Sequence, residues 1–67
     1  MKYILVTSVM LREAYLQRVD NVNGKLIPVM TYNAAYAKTF LSPSSAIRLA
    51  NAIYWDTFRS FYISVKL

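Results

Sequence analysis

Apolar positions recur at helical spacing in one stretch, Ser-Pro-Ser-Ser-Ala-Ile-Arg-Leu-Ala-Asn-Ala-Ile-Tyr from Ser42 to Tyr54. Ala46, Leu49, Ala50 and Ile53 make a stripe along one face, with Ser44, Ser45, Arg48 and Asn51 largely on the other. Ser42 is a good N-cap, because its hydroxyl accepts a backbone N–H one turn in. Pro43 falls at the first helical position, where a missing N–H costs nothing. The spacing predicts a helix from Ser42 that ends between Tyr54 and Thr57. No Gly marks its stop.

The remaining apolar residues alternate. Lys2 to Val9 reads as a first strand, with Tyr3, Leu5, Thr7 and Val9 on one side and Ile4, Val6 and Ser8 on the other. Both sides are apolar, which predicts a central strand covered on both faces. Met10 to Glu13 is a short connection without Gly or Pro, and its turn type is undefined by the pattern. Ala14 to Val19 is a second strand, followed by a turn at Asp20-Asn21-Val22-Asn23-Gly24. Asn-Gly between strand-like runs marks a hairpin, since both residues tolerate positive φ. Lys25 to Thr31 is the returning strand. Pro28 within it cannot donate to a ladder and predicts an edge position.

Tyr32 to Leu41 is a transition. Asn33 is placed to cap one helical turn, with Tyr36 or Ala37 packing inward and Phe40 closing the segment. Arg59 to Lys66 is the last strand, with Phe61, Ile63 and Val65 on one face and Tyr62, Ser64 and Lys66 on the other. The order β-β-β-α-β predicts a single α+β domain over residues 1–67. It consists of a small antiparallel sheet with one helix packed on one face, and its last strand returns beside the first.

Composition sharpens the picture. A chain of 67 residues buries only about 60% of its unfolded surface, so it needs a dense core or a partner. There is no Cys and no His, which removes disulfides and a thiolate or imidazole metal site. Glu13, Asp20 and Asp56 are too few and too scattered for a hard-cation cage. No cofactor or metal is expected. The chain is 57% hydrophobic with ten aromatic residues, more apolar surface than one helix and a small sheet can hide. That surplus predicts a partner-binding face or a homodimer formed through the apolar sheet face.

The same inventory argues against an enzyme. General acid–base chemistry relies most often on His. A Ser nucleophile needs a positioned base, and Ser42, Ser44 and Ser45 have none nearby in sequence. The lone Gly24 excludes a Gly-rich phosphate loop. The apolar run Tyr3 to Leu11 spans nine residues and contains Thr7 and Ser8, whereas a membrane span needs about 20 apolar residues. No small-x-small cleavage site follows it, so no membrane association is expected and the protein is placed in the cytoplasm of its host cell.

Eight Lys plus Arg against three acids give a formal charge of +5, which favours acidic partners. Lys2 and Lys66 occupy opposite ends of their strands and are expected to lie apart. Arg18 and Lys25 flank the hairpin turn, with Tyr15 close by, and together they could grip a phosphate backbone and stack a base. Tyr54, Trp55, Phe58 and Arg59, with Tyr62 beyond, place rings and a guanidinium at the helix exit, the residue types that anchor protein interfaces. The partner-binding candidates are therefore Tyr15, Arg18, Lys25, Tyr54, Trp55, Phe58, Arg59 and Tyr62.

The step Ala37-Lys38-Thr39-Phe40-Leu41-Ser42 has Tyr32-Asn33 before it and Ala46 after it, between a hairpin and an alternating strand. It resembles small orphan proteins of phages and mobile elements with a sheet-plus-helix layout. Some small phage proteins of this size inhibit host defence, anti-CRISPR proteins among them. Many of those are acidic and imitate nucleic acid, whereas this chain is basic. The resemblance implies a non-catalytic inhibitor that binds a host nucleic-acid-guided defence complex, such as a CRISPR effector, and blocks it by occlusion. The alternative carried by the charge is direct nucleic-acid binding through the basic hairpin and exposed tyrosines.

Overall fold

A computed structural model describes residues 1–66. Strands β1 (Lys2–Val9), β2 (Arg12–Val22) and β3 (Lys25–Thr31) precede a 3-10 turn at Ala34–Tyr36, helix α1 (Pro43–Thr57) and strand β4 (Tyr62–Lys66). The four strands form one antiparallel sheet in the order β3-β2-β1-β4. Helix α1 packs on one face, so the α+β architecture, the edge position of Pro28 and the return of the last strand beside the first are as the pattern predicts.

Leu5, Leu16, Phe40, Ala46, Ala50 and Ile53 make the buried cluster between sheet and helix. Removing Leu5, Leu16 or Ile53 from water contributes about 1.5–3 kcal/mol each. The opposite face is covered at its centre. Ile4 and Val6 pack with Ala37, and Tyr15 lies against them. β1 is thus buried on both sides. That cover also narrows the apolar sheet face on which a homodimer was expected to form.

The segment between the two packing layers explains its own sequence. Asn33 accepts the Ala35 N–H at 2.9 Å and starts the 3-10 turn. β1 and β2 pair only from Val6↔Tyr15 to Val9↔Arg12, because β2 bulges between Leu16 and Arg18 and parts from β1. Residues 38–40 enter that opening. The Lys38 N–H donates to the Leu16 carbonyl at 2.7 Å, and Tyr3 and Phe40 exchange backbone bonds of 2.9 and 2.8 Å. Ala37 and Phe40 are buried on opposite faces of the sheet, while Tyr36 is exposed.

Several expectations need correction. β2 extends beyond Ala14–Val19 to Arg12–Val22, since both flanking turns are tight two-residue links. β4 begins at Tyr62 and not at Arg59, because Arg59 and Ser60 are held by side-chain and carbonyl bonds to β1 instead of a ladder. Val65 is exposed rather than buried beside Ile63. Lys2 and Lys66 do not lie apart; they are direct partners. Antiparallel pairing sets the start of one strand against the end of its neighbour, so the earlier expectation inverted the geometry. Among the described residues, no helix is long and apolar enough to cross a membrane.

Candidate partner-binding site

Helix α1 stops without Gly because Phe58 itself adopts the left-handed conformation, φ 58° and ψ 17°, and its N–H bonds to the Tyr54 carbonyl at 2.7 Å. This is the position where Gly is usual. A bulky residue there costs about 1–2 kcal/mol. The turn throws the ring outward: Phe58 is 74% exposed and Trp55 is 75% exposed. Tyr54 bridges them edge-on, 6.1 Å from Trp55 and 5.9 Å from Phe58 between ring centroids.

Beyond Phe58 the chain is pinned to β1. The buried Thr7 hydroxyl donates to the Ser60 carbonyl at 2.8 Å. Arg59 Nη1 donates to Thr7 Oγ1 at 3.3 Å and to the Ser8 carbonyl at 3.1 Å. The Arg59 N–H reaches Thr57 Oγ1 at 3.3 Å. Thr7, Ser8, Thr57, Phe58, Arg59, Ser60 and Tyr62 line an open concavity of about 470 Å³. On the opposite face of the sheet the Tyr62 hydroxyl donates to Glu13 Oε2 at 2.8 Å, and this bond to a carboxylate holds the phenol above its ordinary pKa of 10.0.

Two residues beyond Ser8, the turn between β1 and β2 carries Met10 and Leu11, both left-handed at φ 51° and 66°. The hairpin turn at Asn23-Gly24 takes the same conformation with the residues suited to it. Met10 and Leu11 are not suited to it, yet both are almost fully exposed. Apart from Asn23, the non-Gly residues with positive φ among the described residues are Met10, Leu11 and Phe58, and all three are large, apolar and solvent-facing. Strain of this kind persists where surroundings impose it, and it concentrates at functional sites.

The eight candidate residues therefore do not form one surface. Tyr54, Trp55 and Phe58 form the ring cluster, and Phe58, Arg59 and Tyr62 share the concavity. Tyr15, Arg18, Lys25 and the Tyr62 side chain lie on the other face of the sheet, where Tyr15 and Tyr62 flank Val6. Arg18 pairs with Asp20 at 3.1 Å. Strand alternation puts Lys2, Arg18, Lys25 and Lys66 on that face and Arg12 on the helix side, and Arg59 is bonded to Thr7, also on the helix side. The fold divides its cations between two surfaces instead of collecting them into one track.

Met10 and Leu11 were missed by sequence reasoning. The signal available was a two-residue link between strand-like runs with neither Asn nor Gly to ease it. The carboxylates also have structural duties: Asp56 accepts the Leu26 N–H, and Glu13 accepts from Tyr62. The fold and this surface define a small α+β protein with exposed rings at the helix exit beside a concavity that holds a guanidinium. No protein-family model, no curated protein and no solved structure matches the chain.

Proposed function

We propose that the protein acts by binding and not by catalysis, as a phage-type inhibitor that docks on a host nucleic-acid-guided defence complex and occludes it. One observation carries the binding reading: Met10, Leu11 and Phe58 hold large apolar side chains in solvent at the expense of backbone strain. Tyr54 and Trp55 extend the surface around Phe58, and aromatic anchors of this kind dominate interface energetics. The choice of target rests on the sheet-plus-helix layout with its Ala37-to-Ser42 step. Direct nucleic-acid binding is less well supported, because the cations are split between two faces and Arg18 is already paired.

The test is a plasmid-interference assay in bacteria carrying a guide-RNA nuclease. Expression of the wild-type protein is expected to restore transformation, and Trp55→Ala is expected to abolish that protection without loss of soluble protein. Protection equal in both, or absent across the nuclease types tried, overturns the proposal.

A further inference from the structure

Resting on that binding reading, the geometry points to a specific role for the Arg59 concavity: it receives a side-chain carboxylate from an acidic segment of the partner protein. A guanidinium carries five N–H donors in a planar fork. Arg59 commits Nη1 to the Thr7 hydroxyl and the Ser8 carbonyl. Both acceptors are neutral, so they orient the group without cancelling its charge. Among the described residues no carboxylate pairs with it, the one ion pair being Arg18 with Asp20. Among the described residues the edge formed by Nε and Nη2 has no partner, and that edge suits two parallel bonds to a carboxylate.

The surroundings favour this occupant. The Thr7 hydroxyl and the Ser8 carbonyl fix the guanidinium on one side, and Phe58 lines the same concavity. The exposed Phe58 ring that lines the concavity would exclude water beside a charged pair, where such a pair has its largest effect on binding. The net charge of +5 complements an acidic partner. A polyanionic backbone fits less well. Among the described residues Arg59 is the one cation lining the concavity, so a run of phosphates would find no second countercharge there.

The test uses the whole protein and nuclear magnetic resonance of the Arg59 Nε–H and Ser60 N–H. The probes are acetyl-Leu-Asp-Phe-amide, its neutral counterpart acetyl-Leu-Asn-Phe-amide, inorganic phosphate and an eight-residue oligothymidylate. The aspartyl peptide is expected to shift both signals saturably, at least tenfold more tightly than the asparaginyl peptide and more tightly than phosphate or the oligonucleotide. Arg59→Gln is expected to remove the response. Arg59→Lys, which keeps charge and most of the packing, is expected to weaken it at least fivefold, because the fork is gone. Unmoved Arg59 signals at tens of millimolar peptide, equal binding of the two peptides, or tighter binding of phosphate or oligonucleotide overturns the inference. Loss of partner binding in Trp55→Ala with retention in both Arg59 variants would leave the docking surface standing and remove the carboxylate site alone.

Discussion

Asp56 Oδ2, near the end of α1, accepts the backbone N–H of Leu26 at 2.7 Å and fastens the helix to β3. β3 is a sheet edge with no second neighbour, so this donor would otherwise face solvent or nothing. Leu26 packs against the same buried cluster as Ile53, which places the bond beside the core.

Asp56→Ala should therefore cost about 1.5–3 kcal/mol, the range for a hydrogen bond to a charged acceptor. Urea unfolding followed by circular dichroism checks this. A change below about 0.5 kcal/mol would mean that the helix holds β3 by apolar contact alone.

Strain at the apolar end separates stability from binding. Met10→Asn with Leu11→Gly gives the turn the residues its backbone asks for, and should raise stability by roughly 1–2 kcal/mol. Phe58→Gly should raise it by about 1 kcal/mol. Both variants should bind the partner less well than wild type. Unfolding curves and binding isotherms on the same samples provide the check; variants that are more stable and bind equally would show that the exposed side chains are incidental.

Tyr62 supplies a prediction with a defined sign. Its phenol is held above 10.0 mainly by the hydrogen bond to Glu13, so the folded state favours the protonated form. The bond's contribution is complete below the unfolded value of about 10 and disappears as pH rises through the raised folded value. Ultraviolet titration should show one tyrosine ionising late in the wild type. Glu13→Gln should bring that transition down towards the ordinary value. An identical titration in both proteins would count against the bond.

Much of the architecture was legible in the chain because single residues carried unambiguous geometry. Ser42 accepts the Ser45 N–H, Pro43 opens α1, Asn33 caps its short turn and Pro28 sits on an edge, as their chemistry requires. The bulge between Leu16 and Arg18 was not legible. It exists because residues 38–40 enter the sheet, and that is a tertiary event with no local marker. Of the candidate site, the rings at the helix exit and Arg59 were readable as residue types. That Arg59 is fixed by β1 is a contact across about 50 residues, beyond any local pattern. Tyr15, Arg18 and Lys25 were grouped by proximity in sequence, and strand alternation puts all three on one face, opposite the helix.

The central claim is that binding occurs through the apolar end of the molecule. Biolayer interferometry of wild type, Trp55→Ala and Tyr36→Ala against purified guide-RNA nuclease complexes tests it most directly. Tyr36 is exposed on the 3-10 turn, lines none of the Arg59 concavity, stacks on none of the Tyr54, Trp55 and Phe58 rings, and serves as the control. Wild type should bind saturably. Trp55→Ala should weaken binding by more than about 2 kcal/mol, roughly thirtyfold, with Tyr36→Ala within twofold of wild type. Saturable binding that survives Trp55→Ala and fails in Tyr36→Ala would contradict the account.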